Sequence, residues 1–278
     1  MADASDRRFR GAPGMGLRRD APDRRDRLLF RTVPNVDSLP ERADCSALLP
    51  EPMDQGVIGA CVGYSAATVA YGTMIRDGHR RPFVASPVFI YREARILGGY
   101  VHQDVGAEIR NAWKAMNRIG VPPMSNLKPR FKADDLPDPQ TWLFPENSIW
   151  RRKPSPSTYA DAERRQALAY FLLPTLADVL QCLADGFLCQ IGFAVHRSFY
   201  GWGGPLYNVP DPEPGDRELG GHAVTAWGYD KPSRRVLLRN QWGASAHEGK
   251  PDFTLSFSYM EKHSWDNWTG RIFEGGRS

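Results

Sequence analysis

From Cys61 to Arg76 the chain is small and apolar at almost every position, and Asp77-Gly78 then stops the run. That texture predicts a helix buried on all sides rather than one with a solvent face. Ser86 followed by Pro87 marks a helix start, with Ser86 as cap and Pro87 at the first helical position, and places a second helix over residues 87–97. Ile109, Trp113, Met116 and Ile119 recur at helical spacing, and Gly120 closes a third helix. Residues 175–184 read as a short amphipathic helix with Gly186 behind it. Beyond it the pattern turns to strand-like runs separated by turns, at 187–195, 222–229, 235–240, 253–258 and 271–274. The first half is thus mostly helical and the second rich in strands.

Between them the texture breaks. Residues 122–156 hold eight of the 23 prolines, which reads as a long crossing loop rather than a domain. The expected organisation is an N-terminal arm over 1–35, a helical half over 36–130, a proline-rich crossing loop over 131–165 and a β-rich half over 166–278. A length of 278 residues is ample for a core without disulfide staples. The four cysteines, none in a Cys-x-x-Cys pair, argue against a disulfide scaffold and against cysteine-held zinc. No run reaches the eighteen or so apolar residues of a membrane-spanning helix, so no membrane insertion is expected.

The net charge of +4 has a single source. Residues 1–31 carry nine Arg against five Asp, leaving 27 basic and 27 acidic residues in the remainder. The arm (Arg7, Arg8, Arg10, Arg18, Arg19, Arg24, Arg25, Arg27) has little apolar content before Leu28 and a single interleaved aromatic, Phe9, too little for a pattern of aromatic interleaving. A solvated or loosely docked tail is expected from it, and no nucleic-acid partner. It also lacks an apolar secretory core, which predicts a cytoplasmic protein or one exported without a Sec-type signal.

Three segments carry candidate chemistry: Gln55-Gly56-Val57-Ile58-Gly59-Ala60-Cys61, Gly220-Gly221-His222-Ala223-Val224 and Asn240-Gln241-Trp242-Gly243. A nucleophilic thiol needs its pKa lowered, and the first turn of a helix favours the anion. Gln55 is placed to aim an amide at an oxyanion beside the Cys61 N–H. Alone, Cys61 reads equally as a small buried hydrophobe and His222 as a core histidine. The order Cys, His, Asn changes this, because a general base needs a third group to orient it and two neighbouring antiparallel strands supply both. His79, His102, His196, His247 and His263 lack such framing and are assigned to surface or packing.

These motifs resemble those of the papain (C1-type) family of cysteine peptidases, in order, over residues 35–275. They are most similar to its bacterial and phage branch, which lacks a long propeptide and has segments like Asp104-x-Gly106-x-x-x-Arg110 and Asp23-Arg24-Arg25-Asp26. The resemblance implies an α+β, papain-like fold, with a mostly helical half, a β-barrel-like half and the cleft between them. It implies Cys61 as nucleophile, His222 as base and acid, Asn240 as its orienter and Gln55 as oxyanion donor. It also implies substrate contacts at Gly59, Gly106, Gly221 and Trp242, Trp242 shielding the His–Asn bond, and no metal or organic cofactor. The function implied is endopeptidase cleavage of a polypeptide through a thioester. Acyl transfer or deamidation on the same scaffold, and a non-catalytic binder, are the alternatives; the loop at 200–219 predicts an open groove rather than the tunnel a deamidase needs. Ile58, Val62 and Gln241 depart from the family pattern, as does the segment Ala244–Pro251. Part of the arm is expected to contact the chain's own cleft.

Overall fold

A computed structural model describes residues 15–201 and 204–274. Arg7, Arg8 and Arg10 of the arm, and Trp202 and Gly203 of the 200–219 loop, lie outside the described residues.

Two short strands come first, β1 (Leu17–Arg18) and β2 (Arg42–Asp44), followed by α1 (Cys61–Arg76) and α2 (Pro87–Gly98). Helix α1 buries thirteen of its sixteen residues, as its unbroken small-apolar texture demands. In α2 the Ser86 hydroxyl accepts the Phe89 N–H, Pro87 fills the first turn, and Gly99 ends the helix at φ 84°. After β3 (Ala107–Glu108), α3 (Ile109–Arg118) buries Ile109, Trp113 and Met116. The proline-rich stretch contains α4 (Pro156–Ala162), capped by Ser155, and leads into β4 (Arg165–Leu172).

The remaining elements are α5 (Leu176–Ala184), β5 (Cys189–His196), β6 (Tyr200–Gly201), β7 (Gly204–Pro205), β8 (Glu218–Asp230), β9 (Arg235–Arg239), β10 (Asp252–Ser256), α6 (Phe257–His263) and β11 (Ser264–Glu274). Thr175 and Asp178 close a reciprocal capping box on α5. Strands β10-β9-β8-β5-β11-β4 form one antiparallel sheet, with β2 added on β8. Its end strands do not pair with each other, so it is an open sheet rather than a closed barrel. Two apolar cores result. One surrounds α1, α2 and α3; the other lies between the sheet and α5 and α6.

Some boundaries differ from the sequence reading for identifiable reasons. His222 lies inside β8 rather than at its head, because Gly220 and Gly221 pair with Val195 and Ala194 instead of breaking the ladder. The run at 253–258 is a strand only to Ser256, whose hydroxyl then caps α6 through the Tyr259 N–H.

Candidate active site

The start of α1 is stitched to the sheet by polar side chains. Gln190 on β5 donates to the Val62 carbonyl (2.9 Å) and to Ser65 Oγ (2.8 Å), and Ser65 Oγ donates to the Cys61 carbonyl (2.7 Å). These bonds hold the first helical turn against β8, where the Ala223 N–H reaches the Cys61 sulfur. Cys61 is therefore set beside the residue that follows His222. The register Thr225–Arg239 between β8 and β9, carried one residue past β9, puts Asn240 on the face of the sheet that His222 occupies. His222 Nε2 and Asn240 Oδ1 lie 2.8 Å apart, both side chains buried, and the Gln241 N–H also donates to that oxygen (2.8 Å). Trp242 stacks on the His222 ring at 4.8 Å between centroids and 27° between planes.

The loop ahead of α1 is tied to the loop after β9, with Gln55 N donating to Gln241 O (2.8 Å) and Gly243 N to Met53 O (3.1 Å). This brings Gln55 to the nucleophile's end of the site. One N–H of its buried amide donates to Ile58 O at 2.7 Å. Cys61, His222, Asn240, Gln55 and Trp242 are thus assembled from three chain segments.

Gly59, Gly106 and Gly221 converge on a groove that already holds the arm. Strand β1 pairs in parallel with β3, and Ala107 N donates to Gly16 O at 2.8 Å. A Cβ on Gly16 would lie 1.8 Å from the Gly59 carbonyl oxygen; one on Gly106 would lie 2.2 Å from Gly16 O, and one on Gly221 2.7 Å from Leu17 O. Only side-chain-free residues permit this closeness. The Gly16 N–H also reaches the Cys61 sulfur. Residues 16 and 17 therefore run over the candidate nucleophile, a closer contact than the solvated or loosely docked tail that composition predicts.

The arm is fastened farther along. Asp20 accepts from the Arg110 N–H at 3.2 Å, which serves the first turn of α3, whose own cap residue Glu108 supplies no side-chain bond. Trp268 Nε1 donates to Asp20 Oδ2 (3.1 Å), and Asp20 N donates to Asp266 Oδ2 (2.7 Å). Arg110 reaches Asp26 Oδ2 and the Ala21 carbonyl, each at 2.6 Å. The segments around Asp23–Asp26 and Asp104–Arg110, singled out separately in the sequence, meet here.

Electrostatics follow from this covering. Burial pushes the Cys61 thiol up to about 11, against the smaller opposing effect of the Ala223, Gly16 and Val62 N–H groups. The helix start does favour the anion, but with the arm in place desolvation wins. Burial and then the neighbouring Asp266 raise Asp20 to about 7; burial raises Asp266 to about 6. A carboxyl whose pKa is higher in the docked arm than in water binds its proton more tightly when docked. Docking is then strongest below about 4, the ordinary carboxylate range, weakens progressively as pH rises from there to the raised values of about 6 and 7, and changes little above them. Protease nicking of the arm is accordingly expected to be faster at pH 8 than at pH 5, and Asp20→Asn to flatten that dependence. Equal nicking rates at both pH values in the wild-type chain would contradict this account.

His247, assigned to surface or packing from sequence, is instead fully buried, with Nε2 2.7 Å from Asn240 Nδ2. Its sequence signal is the Glu248-Gly249 pair behind it, a two-residue turn with φ 51° and 82°. Asp104 was likewise not placed in the site; it accepts from Gly59 N (3.0 and 3.1 Å) and Tyr91 OH (2.6 Å), bracing the groove wall. Cys45, Cys61, Cys182 and Cys189 are all unbridged thiols.

A buried thiol at a helix start beside a histidine–asparagine pair, between a helical layer and an antiparallel sheet, defines a papain-like cysteine peptidase fold. No protein-family model matches the chain. The chain is 31% identical to xylellain, a cysteine protease from Xylella fastidiosa, over 93% of this chain and 96% of that one, with a TM-score of 0.84. This chain belongs to the papain family of cysteine peptidases. An uncharacterized peptidase C1-like protein of Acanthamoeba polyphaga mimivirus is 27% identical over 202 residues, 69% of this chain, and the match spans 60% of the viral protein's length. A procathepsin B from Trypanosoma congolense shares the fold, at 17% identity and a TM-score of 0.72 over 95% of this chain and 89% of that one. Among the described residues no helix is long and apolar enough to cross a membrane.

Proposed function

We propose that this chain is a cysteine endopeptidase acting on polypeptides, with Cys61 as nucleophile, His222 as general base and acid, Asn240 as the group that orients His222, and Gln55 as an oxyanion donor. The observation that carries the reading is the Cys61 sulfur lying against β8 at Ala223, next to a His222 already held by Asn240 at 2.8 Å. With Nε2 engaged by Asn240, proton exchange with the thiol falls to Nδ1 of His222. The thiolate adds to the peptide carbonyl, and the electron pair moves to oxygen, where the Cys61 N–H and the second Gln55 N–H stabilise it. Collapse restores the carbonyl as a thioester and expels the amine, which takes the proton from His222. Water, deprotonated by the same ring, then hydrolyses the thioester and returns the thiol. Trp242, stacked on His222, keeps water from the His–Asn bond. Substrate backbone is accepted along Gly59, Gly106 and Gly221, where no side chain intrudes.

The same groove supports a second part of the proposal, that the arm is an internal block. Gly16 and Leu17 occupy the place of a substrate backbone, and Asp20 and Asp26 hold them there. Arg110→Ala removes the Asp26 ion pair and the bond to the Ala21 carbonyl while keeping the main-chain bond to Asp20 and the catalytic groups, and is expected to loosen the arm and raise activity of the full chain about tenfold. A rate equal to wild type in a correctly folded Arg110→Ala protein would argue against the block. For the peptidase reading itself, mass spectrometry of a proteome treated with the chain decides. New peptide termini are the expected result, whereas +1 Da or amine-adduct shifts without cleavage would move the assignment to deamidation or acyl transfer.

A further inference from the structure

The polar chain at the site does not end at Asn240. Beyond it lies His247, carried by the segment Ala244–Pro251 that departs from the family pattern. Its backbone is locked by a reciprocal pair of bonds with Lys250, His247 N to Lys250 O at 2.9 Å and Lys250 N to His247 O at 3.0 Å. Between them Glu248 and Gly249 both take positive φ, the geometry of a tight hairpin turn that turns the His247 ring inward. Glu248 adopts it without being glycine, which costs backbone energy that the turn's fixed geometry offsets.

The ring's surroundings dictate its chemistry. Nδ1 lies 3.0 Å from the Leu206 carbonyl, a group that only accepts, so Nδ1 carries the proton. Nε2 is then a bare acceptor, and 2.7 Å away it meets Asn240 Nδ2, which only donates. The amide of Asn240 is thereby fixed with its oxygen toward His222 Nε2 and Gln241 N. Every donor in the series points the same way, from His222 through Asn240 and His247 to Leu206, so the bonds reinforce one another. Phe253 stacks on the ring at 4.7 Å and Trp242 lies near-parallel at 5.9 Å, which leaves it no room to rotate. Burial holds His247 down to about 4, so it is neutral in the working range of a neutral-pH enzyme.

We propose that His247 is a positioning residue of the reaction, a neutral imidazole that orients the Asn240 amide so that it presents only an acceptor to His222. The proposal rests on the peptidase reading above. Its consequence is chemical: an Asn240 turned around would place N–H groups against the protonated His222 and destabilise the thiolate–imidazolium pair. Loss of His247 therefore raises the pH at which the thiolate forms and lowers the pH at which the imidazolium is lost. The bell-shaped profile narrows from both sides.

The test uses the full chain and three substitutions. His247→Phe keeps the stacking and removes the acceptor; His247→Gln restores an acceptor oxygen; Asn240→Asp replaces the amide by a carboxylate that needs no orienting. Peptide hydrolysis is followed as kcat and KM across pH, and the imidazole nitrogens are followed by 15N–1H correlation NMR. His247→Phe is expected to lower kcat about 10- to 100-fold with KM little changed, and to narrow the profile. His247→Gln is expected to recover most of that loss, and His247→Phe to cost less than about threefold when added to Asn240→Asp. In the wild-type chain, NMR is expected to find the Nδ1–H tautomer at His247 and a protonated Nε2 at His222. Three results would overturn the proposal: an unchanged profile in His247→Phe, an equal loss in His247→Phe and His247→Gln, or a full loss on the Asn240→Asp background. Failure of the peptidase reading looks different, since the wild-type chain would then cleave nothing while its imidazole pattern stayed as described.

Discussion

A Cys61→Ala chain is expected to lose peptide hydrolysis by a factor of about 10⁴ to 10⁶, the scale seen when a nucleophile of this kind is removed. The loss should come without unfolding. Cys61 is fully buried at the start of α1, so deleting one sulfur leaves a small cavity worth on the order of 1 kcal/mol. The helix it opens keeps its bonds through Ser65 and Gln190, since Ser65 contacts the Cys61 carbonyl rather than its side chain. Circular dichroism and thermal unfolding close to wild type, together with lost labelling by an epoxysuccinyl reagent, complete the expected result. A folded Cys61→Ala protein that still cleaves peptides would exclude the thiol as the nucleophile.

The second large effect is expected from the arm. With Gly16 and Leu17 running over it the Cys61 thiol is fully buried, and burial pushes it up to about 11. Beginning the chain at Arg27 removes Gly16, Asp20 and Asp26 but keeps the backbone bond from Leu172 N to Arg27 O and the Leu29 contact with β4. Opening the groove returns water to the sulfur, which relieves the desolvation that opposes the thiolate and clears the path of an attacking reagent. Alkylation of Cys61 and kcat/KM should therefore both rise, by about tenfold or more. Gly16→Val in the full chain supplies a control against misfolding, because any Cβ there meets the Gly59 carbonyl oxygen at 1.8 Å and must displace the arm. If both variants alkylate at the wild-type rate, the arm does not govern the thiol.

Much of this was legible in the chain itself. The Ser86-Pro87 start, the Ile109–Trp113–Met116 stripe and the small-residue run after Cys61 encode their helices locally, which is why those three elements appear where the pattern places them. Asn240 beside His222 was legible as a juxtaposition of two strand ends. The arm was harder to read because backbone holds it. Apart from the buried Leu17 and the packed Met15, its grip consists of the Gly16 carbonyl, the Leu17–Ala107 ladder and two carboxylates, which do not register as hydrophobicity. His247 escaped for a similar reason, since its burial depends on Leu206 arriving from 41 positions upstream and on Trp242 and Phe253 folding onto the ring from either side of the turn. The β4 strand was hidden by the two charged or polar residues that open it, Arg165 and Gln166, whose pairing with β11 replaces any alternation signal.

The division of labour within the arm has an evolutionary side. Occlusion at Gly16 is performed by main chain alone, so it imposes almost nothing on residue choice beyond the absence of a Cβ. Retention is delegated to Asp20 and Asp26, four and ten positions downstream, through partners on α3 and β11. Plug and tether can consequently drift separately. Under the block proposed above, exchanging a single carboxylate retunes how readily the arm lifts, while the main chain over the sulfur stays untouched.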